Sequence, residues 1–310
     1  MGSSPPAPAS SAETGTHNAP QIVLHVGAHK TASTHLQHTI RSQGWRLRRQ
    51  DVTFLGPHML RGQIIDLEPV ARDPGLLPFL RALRMRTGFR RLCKGHKQVF
   101  VSDENLLGGT YSLRRVAPVR LYPDGAQRIG RLLRRLGIPR AKVLLAVRDP
   151  ATHLVSNYSQ RLFAGPFIPF DEYVKATDPL ALRWSQVAEE ILALPRVEEL
   201  VIWRMEDYPR LLPQILGIAV TEGVARWMKP LEGARHQGLS ARAHEQLAAW
   251  AAEGQFPPGA ARKAREMFPK SGDVTAYAPL EPELLAQSAL AYAEDLRRLE
   301  GRPGITLLRP

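Results

Sequence analysis

Cysteine is almost missing from this chain: one residue, Cys93, in 310. That excludes an internal disulfide framework and every paired-cysteine zinc or redox motif. Long apolar runs are missing too. None approaches the roughly 18 residues a membrane-spanning helix needs. The first twenty residues, rich in Ser, Pro and Ala, lack the apolar stretch of a leader peptide. Residues 1–20 are expected to form a disordered tail, and the protein to be cytoplasmic. Neither an HExxH zinc motif nor the GxSxG elbow of a serine hydrolase occurs, so no metal is expected.

Acids are sparse in the first 170 residues, with 9 Asp and Glu against 25 Lys and Arg, whereas the remainder carries 20 against 17. Such a one-sided surplus suits a polyanionic ligand held by the N-terminal half. Residues 76–97 carry seven basic side chains and no acid, with Leu76, Phe79, Leu80, Leu83, Phe89 and Leu92 at roughly helical spacing. A segment of that kind either rests on an anionic membrane, receives an anionic acceptor, or packs its apolar side into the core. Nucleic acid is not the expected partner. Aromatics interleaved with the basic residues are few, and no helix-turn-helix, zinc or RNA-binding signature appears.

Short β-branched runs alternate with helical patterns. Strands are expected over 22–26, 52–55, 99–102, 143–147 and 200–203. Helices are expected over 33–43, 76–92, 125–136, 152–163 and 184–194, then over 211–216, 241–253, 259–268 and 283–299. The fold class this implies is α/β, a three-layer parallel β-sheet flanked by helices, because continuous apolar strands need cover on both faces. Residues 21–310 are expected to form one domain, with the core sheet in about 21–208 and a helical C-terminal part in about 209–310.

The first strand runs into QIVLHVGAHKTAST. Its apolar residues end at Gly27, and Lys30, Thr31, Ala32, Ser33 and Thr34 follow at a helix start. A helix N-terminus offers unpaired N–H groups and positive potential, and Lys30 adds a full charge: a cradle for phosphate or sulfate. The ATP-binding consensus GxxxxGK[ST] is not met, since His29 precedes the lysine and Gly27 lies only three positions upstream. A second cradle follows the strand AKVLLAV. Arg148 stands at its end, Pro150 suits a first helical turn, and Ser156 comes eight positions after the arginine. Guanidinium recognises a phosphate dianion bidentately, and a hydroxyl on the helix adds a donor.

These two segments resemble the 5′-phosphosulfate loop and the 3′-phosphate motif of sulfotransferases that use 3′-phosphoadenosine 5′-phosphosulfate (PAPS). The resemblance implies a P-loop-like sulfotransferase fold of bacterial type. It also implies PAPS as donor, with 3′-phosphoadenosine 5′-phosphate (PAP) as product, and no requirement for a metal. Gly27, Lys30, Thr31, Ala32, Ser33 and Thr34 would hold the phosphosulfate, and Arg148 and Ser156 the 3′-phosphate. Ala32 stands where the family has glycine, a change that a helix-start residue at negative φ tolerates. Arg235, within GARHQGLSA, matches loosely a basic loop that closes over the 3′-phosphate. Trp203–Tyr208, reading WRMEDY, resembles the acidic turn that ends the core sheet in bacterial members.

A base is sought at the end of the next strand, because crevice residues sit at strand carboxyl ends. The run 97–102 delivers Asp103, Glu104 and Asn105. Family members that sulfate carbohydrates carry a glutamate in the corresponding place, which favours Glu104, then Asp103; the same acids would also suit a helix cap. Lys30 is placed to neutralise the leaving phosphate oxygen. His29 flanks it and is a further catalytic candidate, with His35, His58 and His153 as weaker ones. The activity implied is transfer of a sulfuryl group to a hydroxyl or amine of a small-molecule, glycan or lipid acceptor. The alternatives are an ATP-dependent phosphoryl transferase (a kinase) and a non-enzymatic nucleic-acid-binding protein.

Overall fold

The computed structural model describes residues 19–61, 76–110, 119–175, 177–231, 238–271 and 274–310, with 76–82 described by backbone alone. Nearly all of the expected tail, and Arg235, lie outside the described residues. In chain order the elements are β1 (Gln21–His25), α1 (Ser33–Arg41), α2 (Gly44–Arg48), β2 (Val52–Leu55), α3 (Pro57–Leu60), α4 (Leu76–Cys93) and β3 (Gln98–Ser102). Then come α5 (Gly125–Leu136), β4 (Ala141–Val147), α6 (Pro150–Ala164), α7 (Phe170–Val174), α8 (Trp184–Leu192) and β5 (Val197–Arg204). The last are α9 (Tyr208–Val220), α10 (Glu222–Ala225), α11 (Ala241–Ala252), α12 (Ala260–Met267), α13 (Pro282–Arg297) and β6 (Ile305–Leu307).

The six strands form one sheet in the order β2-β3-β1-β4-β5-β6, and every neighbouring pair is parallel. The α/β expectation therefore holds. Successive side chains of a strand point to opposite faces, and both faces are covered here. Ile22, Leu24, Val99, Val101, Val143 and Leu145 pack with residues of α4, α5, α8 and α13. Val23, Phe100, Leu144 and Val201 pack on the other side against α1 and α9. That two-sided burial explains why the strands read as unbroken apolar runs. Within α4, Phe89 and Cys93 are buried in the first of these cores and Met85 and Leu92 pack against it, whereas Leu83 is 47% exposed. Among the described residues no helix is long and apolar enough to cross a membrane.

Two features were not anticipated from the sequence. β6 adds a sixth strand beside β5 in the part expected to be wholly helical. A third core cluster joins Leu154, Tyr158 and Leu162 of α6 to Phe170, Leu239, Ala243, Leu247, Ala260 and Ala264. The C-terminal helices α11 and α12 are thus bound to the outer side of α6, and this brings them to the ends of the strands.

Candidate functional site

β1 lies between β3 and β4, and the chain leaves it towards β2 on one side before β4 is added on the other. This is where the strand order reverses, and an open parallel sheet forms its crevice there, at the carboxyl ends. Three adjacent strands consequently deliver Glu104, Lys30 and Arg148 to one edge. A cleft of about 460 Å³ opens there, lined among others by His29, Lys30, Ala32, Ser33, Thr34, Glu104, Arg148 and Ser156. Gly27, Thr31 and Asp103 do not line it.

The loop after β1 has an unusual backbone. Lys30 and Ala32 both adopt left-handed conformations, with φ of 65° and 63°. Left-handed residues alternating with others turn successive N–H groups to one side of the loop, the nest that receives anions. The expectation of negative φ at Ala32 is corrected here. An alanine in this conformation carries strain of roughly 1–2 kcal/mol. Ala32→Gly should therefore raise stability by about 1 kcal/mol, which moves Tm up by about 2 °C in a chain of this size. An unchanged or lower Tm by calorimetry would contradict the strain.

Thr31 is buried and its hydroxyl donates to the carbonyl of Ala28 at 2.6 Å. It ties the loop and leaves no hydroxyl proton for a ligand. Gly27 is required sterically: a Cβ there would meet Ser33 Oγ at 2.5 Å and His25 Nε2 at 2.7 Å. Both atoms are buried without a hydrogen-bond partner among the described residues. Ser33, at the start of α1, thus keeps an unused hydroxyl beneath the loop and at the cleft wall.

The second turn is locked from several sides. Asp149 caps α6 by accepting the Thr152 N–H at 2.9 Å and also accepts the Ser288 hydroxyl at 2.9 Å. Its own N–H donates to Glu206, and Trp184 Nε1 donates to the Arg148 carbonyl at 2.7 Å. Arg148 donates from Nε to Thr152 Oγ1 at 3.0 Å and from one terminal nitrogen to the Lys30 carbonyl at 3.2 Å. The guanidinium thus joins one turn to the other. His153, fully buried, makes a second tie through Nε2 to the His29 carbonyl at 3.0 Å.

Positive charge accumulates around this junction. Burial lowers the pKa of Lys30, and the charges of Arg148 and then Arg265 push it further down. Arg265, from α12, lines the cleft and lies 5.0 Å over the ring of Phe163. Lys270 is lowered by burial and by Arg148. Neither Arg265 nor Lys270 was expected from the sequence. Cations packed this closely repel one another, and an anion in the cleft relieves that repulsion.

The acid after β3 splits into two roles. Asp103, 1% exposed, accepts two bonds from Arg61 (2.7 and 3.1 Å) and one from the Asn105 N–H (3.0 Å). It caps the short turn Glu104–Leu107 and anchors Arg61, so the capping alternative applies to Asp103. Glu104 faces the cleft and accepts from Arg61 at 3.0 Å and Gln37 Nε2 at 3.2 Å. Burial opposes its ionisation, but its own backbone N–H, Arg61 and Gln37 prevail and hold its carboxyl below the usual range. Gln37 also donates to Ser102 Oγ, which meets His25 Nδ1 at 2.7 Å.

The histidines are mostly committed. The Tyr122 hydroxyl accepts the His29 N–H at 2.8 Å and lies 2.9 Å from His29 Nδ1. The His29 ring is thus held by Tyr122 and also hydrogen-bonds the Asn105 side chain. His35 lines the cleft with both ring nitrogens occupied, by Tyr208 Oη and the Leu231 carbonyl, each at 2.8 Å. His58 stands outside the cleft, beside Phe54. Burial drives His25 down to about 4 and His153 to about 3, from 6.5. Both are neutral in the fold but take up protons when it opens. Their contribution to stability is complete above pH 6.5 and is lost as pH falls from there towards 4. Tm should drop across that window, and His153→Gln should flatten the slope by up to one proton. A Tm independent of pH between 6.5 and 4.5 would refute this.

No protein-family model matches the chain, and no curated protein matches it. Among solved structures it is similar to a sulfotransferase from Alicyclobacillus acidocaldarius, at 16% identity and a TM-score of 0.39, over 91% of this chain and 95% of that one. An overlap that loose assigns no residue roles.

Proposed function

We propose that this chain transfers a sulfuryl group from PAPS to a hydroxyl or amine of a small-molecule, glycan or lipid acceptor. The observation that carries the reading is the convergence, in one cleft, of Lys30, Ser33 and Thr34 from one turn with Arg148 and Ser156 from another. The two turns are joined by the Arg148–Lys30 hydrogen bond. The residues fit the nucleotide: the Ser33 hydroxyl is buried without a partner among the described residues, the loop after Gly27 turns N–H groups to one side, and Lys30, Arg148 and Arg265 crowd together so that a bound anion would relieve their repulsion.

Lys30, Ser33, Thr34 and the loop N–H groups would hold the phosphosulfate end. Arg148 and Ser156 would hold the 3′-phosphate, with Arg265 and Lys270 adding positive potential. The bound nucleotide supplies an activated sulfonate: the acceptor oxygen or nitrogen bonds to sulfur as the bond from sulfur to the phosphate oxygen breaks. Glu104, ionised and facing the cleft, takes the acceptor's proton. Lys30 neutralises charge on the departing phosphate oxygen, and such fixed donors cost no reorganisation during reaction. Binding of the phosphates fixes the reacting end against Glu104.

Calorimetry of PAP against ATP without added metal tests the nucleotide, and labelled PAPS with an acceptor panel tests the transfer. Preference for PAP and label in an acceptor are expected. Equal or tighter binding of ATP would favour a phosphoryl transferase instead.

A further inference from the structure

Two of the five tryptophans lie on the surface: Trp45 is 48% and Trp227 60% exposed. Each belongs to a short segment anchored by buried neighbours. In α2, Leu47 faces the core, and Trp45, two positions earlier on a helix, points away from it. Val224 within α10 and Met228 just after it are buried, and Trp227 between them is exposed. The segments adjoin, because Gln43 Nε2 donates to the Lys229 carbonyl at 3.0 Å and the Lys229 N–H donates back to Gln43 Oε1 at 3.2 Å. Both tryptophans therefore belong to one surface. It lies at the edge where the strands begin, since α1 and α9 run back from the cleft edge before α2 and α10 follow.

The surface is also basic. Arg46, Arg48 and Arg49 lie on one segment, and Arg226 and Lys229 on the other, with no acid within either stretch. Glu222 flanks one segment, and Asp51, which flanks the other, is paired with Lys97. Among the described residues none of the five cations forms an ion pair. Three of them stack: Arg46 and Arg49 over the Trp45 ring at 4.5 and 5.2 Å, and Arg226 over Trp227 at 5.4 Å.

The geometry points to a docking surface for an anionic lipid bilayer. Indole rings settle at the boundary between headgroups and acyl chains, and unpaired arginines beside them reach lipid phosphates. A nucleic acid fits less well. Base stacking needs an open ring face, and two guanidinium groups already lie over Trp45, whereas insertion among headgroups leaves those stacks in place. Docked this way, the protein presents its cleft away from the membrane.

The test is sedimentation with phosphatidylcholine vesicles, with and without about 30% phosphatidylserine, in about 0.1 M salt. Binding to the anionic vesicles alone is expected. Arg48→Gln with Arg49→Gln should lower it about 25-fold, at roughly fivefold per cation, and Trp45→Ala with Trp227→Ala should lower it at least about tenfold. Unfolding midpoints of both variants within about 2 °C of the parent confirm intact folds. Failure to bind anionic vesicles, or binding indifferent to the tryptophans, overturns the proposal. So does tryptophan-dependent binding of a single-stranded oligonucleotide without vesicle binding, which would assign the surface to nucleic acid.

Discussion

Arg148→Ala is expected to lower kcat/KM about a thousandfold and to weaken PAP binding about a hundredfold. Two losses combine. The guanidinium bonds to the Lys30 carbonyl and to Thr152 Oγ1, so its removal frees the loop proposed to hold the phosphosulfate end. It also removes one of the cations that crowd Lys30, leaving less potential for a dianion. Arg148→Lys should recover little. An ammonium is a point charge, unable to span both acceptors and still face a phosphate. Calorimetry with PAP and steady-state assay of sulfate transfer measure the two parts. Wild-type PAP affinity in Arg148→Ala would remove the 3′-phosphate role and, with it, the main support for the nucleotide.

What could be read from the sequence here is what is local. The expected bounds of β2 and α5 coincide with those observed, because each is a short apolar pattern closed by turn residues. The eight-residue spacing from Arg148 to Ser156 is also local, fixed by one strand end and the first turns of one helix. β6 escaped because three residues after a glycine carry no periodicity. The left-handed Ala32 escaped because φ at a turn depends on the closing contacts, here the Thr31 hydroxyl on Ala28. Arg265, Gln37 and Arg61 reach the cleft or its carboxylate only through tertiary packing. Arg265 arrives because α12 packs its alanines on α6, a contact between segments about a hundred residues apart.

Asp103 and Glu104 show the same limit from the other side. Adjacent in sequence and alike in charge, they separate by environment: one is sealed under Arg61, the other turned to the cleft. Sequence alone ranks them but cannot divide cap from candidate base, since both roles favour an acid at a strand end.

Glu104→Gln should lower kcat about a hundredfold to ten-thousandfold, the range for loss of a positioned base. PAP affinity should be unchanged or tighter, because the variant removes a negative charge that acts on Lys30. The amide can still accept one of the bonds from Arg61 and Gln37, so the fold around Asp103 should persist. The pH profile distinguishes the candidates. Arg61 and Gln37 help hold the Glu104 carboxyl below its usual range, so its base form survives acidification, and the acid limb of kcat should fall below about pH 4.5. A limb between that value and 6.5 would instead report a histidine such as His29, whose pKa is also lowered. Geometry argues against His29, since its ring is already engaged by the Tyr122 hydroxyl and by Asn105. Full activity in Glu104→Gln, together with loss in His29→Asn, would reverse the assignment and require that the Tyr122 contact open when an acceptor binds.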